Sequence, residues 1–238
     1  MIVLVAHGTR DPAGPLVTEG LAQGVRAALP GVDVRVAYAD VRSPNVTDVL
    51  AGGGESAVVV PAFLASGYHV RTDIPEQIAA GGCRDVVLAD AFGPAPELVA
   101  VLIGRLRAAG YTDGDRVVLA AAGSSDPRAL VDVHDAAYAL GVRLGAPVRV
   151  GYAATAKPAI ADVVAGVREA AGPGSRIAVA SWLLAPGLFQ RKLEAAGADV
   201  IAAPLCGDSS AGGLGADPRI VDLVVRRYTE AERIQVAA

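Results

Sequence analysis

Ile2-Val-Leu-Val-Ala-His-Gly-Thr-Arg-Asp-Pro12 decides the fold. Its first five residues are apolar without alternation, the pattern of a strand covered on both faces, as in a parallel sheet. His7-Gly8 then ends the strand in a sharp turn, and a helix is expected to follow the proline. The same layout returns 115 positions later as Val117-Val-Leu-Ala-Ala-Ala-Gly-Ser-Ser-Asp-Pro127.

Three more pairs keep the same order. Ala37-Tyr-Ala-Asp-Val-Arg-Ser-Pro44 aligns with Gly151-Tyr-Ala-Ala-Thr-Ala-Lys-Pro158, Phe63-Leu-Ala-Ser-Gly-Tyr-His69 with Leu183-Leu-Ala-Pro-Gly-Leu-Phe189, and Gly93-Pro-Ala-Pro-Glu-Leu98 with Gly215-Ala-Asp-Pro-Arg-Ile220. A repeat this long is a duplicated domain, not a solenoid. Strands are predicted at Ile2–Ala6, Val32–Tyr38, Ala57–Val60 and Asp85–Leu88, then at Arg116–Ala121, Val148–Tyr152, Ile177–Ala180 and Asp199–Ala202. Helices alternate with them at Pro15–Leu29, Val46–Leu50, His69–Ala80, Pro96–Ala108, Pro127–Leu144, Pro158–Ala170, Pro186–Ala195 and Pro218–Ala231. The fold class is therefore α/β: two similar lobes, 1–112 and 113–238, each a mostly parallel sheet with helices on both faces. The boundary is placed in the turn Ala109–Gly114.

The chain has 238 residues, 53% of them hydrophobic and 19% charged, which supports a sizeable core and excludes wholesale disorder. Aromatics are only 4%, so the core must be aliphatic. A net charge of −4 without a basic cluster argues against nucleic acid as a partner. No apolar run nears the roughly 18 residues of a membrane span. The N-terminus reads as a buried strand rather than a signal peptide. Cys83 reads as a buried thiol and Cys206 as a loop thiol; two such cysteines form no disulfide framework, so a reducing cytoplasm is expected. The stretch Cys206–Gly215 reads as a flexible loop over a cleft.

Duplication exposes the candidate site. His7 becomes Ala122, Asp40 becomes Ala154 and His69 becomes Phe189. All three losses fall at, or just beyond, the carboxyl ends of strands, where open α/β sheets bind ligands. Alone, each residue has a bland explanation: His7 as a hydrogen-bonding turn residue, His69 as a helix-start residue, Asp40 as a helix cap or a partner of Arg42. Together, two imidazoles and a carboxylate on one edge suit a divalent ion such as Fe²⁺, Co²⁺, Ni²⁺ or Zn²⁺, or proton transfer near neutral pH. His134 reads as a solvated position on a helix face. No Gly-x-Gly-x-x-Gly follows a strand, and there is no Gly-x-x-x-x-Gly-Lys-Ser/Thr, so no nucleotide is expected. Ala6-His-Gly8 is similar to the Arg-His-Gly of histidine phosphatases but has alanine at the needed arginine.

His7-Gly-Thr-Arg-Asp-Pro12, Tyr38-Ala-Asp-Val-Arg-Ser-Pro44 and above all Val60-Pro-Ala-Phe-Leu-Ala-Ser-Gly-Tyr-His-Val-Arg-Thr-Asp-Ile-Pro75 resemble the sirohydrochlorin chelatases of the CbiX and SirB type. The second half, with Ser181-Trp-Leu-Leu-Ala-Pro-Gly-Leu-Phe189, looks like the degenerate half of the long, two-lobed form. The resemblance implies two chelatase-like lobes with one site between them, and nucleotide-independent insertion of Fe²⁺ or Co²⁺ into a tetrapyrrole for sirohaem or cobalamin. Nickel, another tetrapyrrole, or a non-catalytic carrier role are the alternatives. It implies His7 and His69 as metal ligands. Asp40 falls where the family usually has glutamate, one methylene longer, so its role lies between ligand and orienter. Arg10, Arg42 and Arg71 could pair with the substrate's carboxylates, and Ser66 and Gly67 would let a flat macrocycle approach the backbone. Fusion of two halves could replace a dimer interface, so a monomer is expected.

Overall fold

Apolar strands separated by capped helices build two sheets of four parallel strands. In the computed structural model, residues 1–52, 56–207 and 216–237 are described. The first sheet contains β1 (Ile2–Ala6), β2 (Val34–Tyr38), β3 (Ser56–Pro61) and β4 (Asp85–Leu88), in the order β2-β1-β3-β4. The second repeats that order with β5 (Arg116–Ala121), β6 (Val148–Tyr152), β7 (Ile177–Trp182) and β8 (Val200–Ile201), as β6-β5-β7-β8. All pairings are parallel, with Leu4 opposite both Val36 and Val60 in the first sheet.

The helices are α1 (Ala13–Ala28), α2 (Val46–Ala51), α3 (Ile74–Ala80), α4 (Pro96–Ala108), α5 (Pro127–Leu144), α6 (Ile160–Ala171), α7 (Leu188–Glu194) and α8 (Pro218–Ala237). Local chemistry sets several ends. Asn45 accepts the Asp48 N–H while Asp48 accepts the Asn45 N–H, closing a capping box at α2. Asp126 caps α5 ahead of Pro127, and Gly145 ends it at φ +65°. A π-helical turn, His69–Asp73, precedes α3, where a single helix was expected over 69–80.

Alternate residues along each strand fill two cores. On one face of the first sheet Val3, Val5, Ala37 and Val59 pack with Val49, Leu50 and Ile74 of α2 and α3. Ile2 and Leu4, also fully buried, point to the opposite face, where α1 lies against β2 and α8 lies against β3 and β4. In the second sheet Val118, Ala120 and Val179 pack with Ile160 and Val164 of α6 and Leu193 of α7. There α5 packs on β6 and α4 on β7.

The compact units are therefore not the contiguous halves 1–112 and 113–238. One comprises 1–92 with the C-terminal segment 209–238, and the other 93–208. Each repeat's last helix covers the other repeat's sheet. At Gly24 of α1 a β-carbon would come within 2.7 Å of Val221 Cγ2, so the missing side chain lets α8 seat against α1.

Cys206 lies in a loop, as expected, but the burial of the two thiols differs from expectation. Cys206 is buried, its N–H bonded to the Leu184 carbonyl at 2.8 Å, whereas Cys83 is partly exposed. Both are free. Of the expected loop, residues 208–215 lie outside the described residues. His134 is exposed on α5, with the Tyr152 hydroxyl 3.5 Å away. Among the described residues no helix is long and apolar enough to cross a membrane.

Candidate metal centre

The order β2-β1-β3-β4 fixes where a site can form. From β1 the chain crosses to β2 on one side, and β3 then lies on the other side of β1. Loops leaving β1 and β3 diverge, opening a crevice above their carboxyl ends. His7 is the first residue after β1, and the loop after β3 leads through Phe63 and Tyr68 to His69.

At that switch point the two imidazoles meet edge to face, with ring centroids 4.5 Å apart and planes at 82°. Phe63 flanks both, 6.1 Å from His7 and 6.0 Å from His69, and the exposed Tyr68 ring lies 5.7 Å from His69. Imidazoles this close could share one ion through bonds of about 2.0–2.1 Å. His7 Nδ1 lies 3.0 Å from the Gly8 carbonyl, and His69 Nδ1 lies 2.8 Å from Asp73 Oδ2. A carbonyl and a carboxylate only accept hydrogen bonds, so both neutral rings carry their proton on Nδ1. Each then has a bare Nε2 available to a metal.

Backbone turns hold this arrangement. Gly8 sits at φ +94°, and a β-carbon there would lie 2.0 Å from the Asp40 carbonyl oxygen. Only glycine lets the loops after β1 and β2 approach so closely. Asp40 N–H donates to the His7 carbonyl at 3.0 Å, tying the two loops together. The Asp40 side chain is exposed and accepts the N–H of Val41, a residue at φ +68°, at 2.7 Å. Asp40 thus stands beside His7 with its carboxylate engaged by its own loop. Among the described residues no three His, Cys, Asp or Glu side chains are placed to hold one ion together.

The remaining candidates surround the pair. Arg42 directs its Nε–H to the Thr9 carbonyl. Arg71 is exposed, its Nε–H on the Ser66 carbonyl at 2.7 Å, while its N–H meets the Gly67 carbonyl at 3.0 Å. Arg10 is exposed in the turn before α1. Nearby, burial raises the Tyr38 phenol above its usual value, opposed by the positive charge of Arg42.

Two contributors escaped the sequence reading. Asp73 holds His69, and Gln77 holds Asp73 through Nε2–H to Oδ1 at 2.8 Å. Asp73 had a usable signal, since its spacing of four from His69 pairs side chains on one helix face. Gln77 stands at the same spacing from Asp73, but its other partners, the Ala39 carbonyl and the Val46 N–H, are distant in sequence and carried no signal.

The second unit preserves the frame without the chemistry. Gly123 sits at φ +99°, and a β-carbon there would lie 2.0 Å from the Ala154 carbonyl oxygen. Ala154 N–H donates to the Ala122 carbonyl at 2.9 Å, and Thr155 takes φ +58°. Alanine, alanine and phenylalanine stand in place of His7, Asp40 and His69.

Fold and site together define a duplicated α/β protein with a metal-competent centre in one copy. The chain belongs to the CbiX family, whose model matches residues 1–109 and 116–231. A sirohydrochlorin cobaltochelatase of Methanopyrus kandleri is 36% identical over 81 residues, covering 32% of this chain and 57% of that one. Another from Methanothermobacter thermautotrophicus is 35% identical over 78 residues, covering 31% and 54%. The chain thus spans little more than half the length of these curated relatives. Among solved structures, SirB from Bacillus subtilis with Fe³⁺ has a TM-score of 0.79 at 20% identity, covering 97% of this chain and 94% of that one. CbiX, the terminal enzyme for siroheme biosynthesis in denitrifying bacteria, has a TM-score of 0.70 at 24% identity, covering 97% and 98%. Both share this fold.

Proposed function

We propose that the protein inserts a divalent metal, Fe²⁺ or Co²⁺, into sirohydrochlorin without using a nucleotide. The observation that carries this reading is the meeting of His7 and His69 at the switch point of one sheet, while the repeated frame of the second sheet lacks both. Family membership and the cobaltochelatase activity named for the curated relatives support it.

Metallation replaces two pyrrole protons with one M²⁺ and releases two H⁺. The ion must arrive partly dehydrated and leave easily. Two imidazole Nε2 atoms provide neutral ligands and leave positions open for water and then for the macrocycle. His69 is braced by the Asp73 carboxylate, whereas the exposed His7 ring meets its neighbour's backbone carbonyl. His7 is thus the ligand that lets go first, and its freed nitrogen accepts a pyrrole proton. Asp40, exposed and adjacent, receives protons or steadies a metal-bound water. Arg10, Arg42 and Arg71 place positive charge around the rim for the substrate's carboxylates, with Ser66 and Gly67 leaving space for the ring. The two units in one chain support a monomer, which sedimentation at several concentrations would check.

The test is anaerobic absorbance of sirohydrochlorin with Co²⁺, Fe²⁺ or Ni²⁺ and substoichiometric protein. Many turnovers with Co²⁺ or Fe²⁺ are expected. One equivalent of product, or none above the uncatalysed rate, would replace the enzyme with a carrier.

A further inference from the structure

We propose that Asp73 is a positioning residue that holds His69 in the tautomer with a bare Nε2, and that Gln77 gives Asp73 the power to do so. Its catalytic consequence rests on the chelatase reading; the positioning itself does not.

The direction of every hydrogen bond in this chain is fixed. Val46 N–H can only donate, and it reaches Gln77 Oε1 at 3.0 Å. The Gln77 amide is therefore oriented, and its Nε2 donates to the Ala39 carbonyl at 2.9 Å and to Asp73 Oδ1 at 2.8 Å. The Thr47 hydroxyl also donates to the Gln77 carbonyl, at 2.9 Å. Asp73 is left with Oδ2 facing His69 Nδ1 at 2.8 Å, which requires a proton on Nδ1. The line runs from the metal-competent ring through α3 to Ala39, the residue before Asp40. Two of the three loops that present the candidate groups, those after β2 and β3, are thereby braced by one glutamine.

The second unit offers an internal comparison. The repeat that aligns His69 with Phe189 also aligns Asp73 with Leu193, which is fully buried. Ring and carboxylate are replaced together by an apolar pair. An aspartate serving α3 itself would have no reason to be absent wherever the histidine is absent.

Orientation of Gln77 makes a specific variant informative. In Asp73→Asn the amide oxygen must face the Gln77 donor, which turns the amide NH₂ toward His69. His69 Nδ1 then has to accept, and the proton moves to Nε2, blocking the metal. Removing Gln77 frees the asparagine to turn over and accept from Nδ1 again. Asp73→Asn combined with Gln77→Ala should therefore recover what Asp73→Asn alone loses.

The experiment reads ¹⁵N shifts of the imidazoles in metal-free protein at about pH 8.5, where histidine is neutral. With only three histidines in the chain, His7→Ala and His134→Ala complete the assignment. Wild type is expected to carry the His69 proton on Nδ1, Asp73→Asn on Nε2, and the double variant on Nδ1. Co²⁺ affinity, read from its visible absorption, should fall about 10–100-fold in Asp73→Asn and recover at least about fivefold in the double variant. An Asp73→Asn protein with the proton still on Nδ1 and unchanged Co²⁺ affinity would overturn the proposal, as would a double variant no better than Asp73→Asn. Neither readout uses a tetrapyrrole, so a wild type that fails to metallate sirohydrochlorin would sink the chelatase reading alone.

Discussion

His7 and His69 lie on loops that follow different strands, β1 and β3, yet their rings lie 4.5 Å apart at 82°. Neither is held there by the other. His7 is set by the glycine turn after β1, and His69 by a π-helical turn after β3 braced through Asp73. The pair exists because parallel strands β1 and β3 are neighbours in the sheet.

Gly8 and Gly123 separate frame from chemistry. At either, alanine would occupy a positive φ and collide with the next loop's carbonyl. Both Gly8→Ala and Gly123→Ala should lose at least about 1–3 kcal/mol of stability, measured by urea denaturation. Only Gly8→Ala should also weaken Co²⁺ binding at a temperature where both variants are folded. Equal loss of Co²⁺ binding in both would place the metal elsewhere.

Asp40→Ala removes a carboxylate that now caps the Val41 N–H. Loss of that bond should cost about 0.5–1.5 kcal/mol of stability. Co²⁺ affinity should fall less than about tenfold, against a far larger loss for either histidine, while metallation slows by about 10²-fold or more. A Co²⁺ affinity lost as completely as in His69→Ala would make Asp40 a direct ligand.

Tyr228 on α8 sets an alkaline limit. Burial first, then its hydrogen bond to Glu232, pushes its phenol up from 10.0 to about 12. The raised native value means that the neutral form is favoured by folding. Its contribution is complete below pH 10 and is lost as pH rises toward 12. Urea midpoints of the wild type should fall over that interval, and those of Tyr228→Phe should fall less steeply. Parallel declines would assign the alkaline loss to other groups.

The strands were legible because each is a compact apolar run between turn residues, and β1, β4 and β5 begin and end where expected. Repeated turns such as Gly8 and Gly123 carried the duplication. What stayed hidden depends on distant contacts. An amphipathic helix shows that it has a buried face but not which sheet buries it, so α8 could not be assigned to the first sheet nor α4 to the second. The π-helical turn has the residues of an ordinary helix start. At the site, His7, His69 and Asp40 stood out through their replacement in the second half. Asp40's engagement with Val41 and Gln77's bonds to Ala39 and Val46 are set by loop geometry that spacing does not encode.

The central claim is that one duplicated frame, and only one, carries metal to a tetrapyrrole. Its most direct test is anaerobic multiple-turnover metallation of sirohydrochlorin by wild type, His7→Ala, His69→Ala and Phe189→Ala, with Co²⁺ and with Fe²⁺. Wild type is expected to turn over, both histidine variants to fall by about 10²-fold or more, and Phe189→Ala to stay within about threefold of wild type. Undiminished turnover in the two histidine variants, or no turnover in wild type with either metal, would contradict the claim.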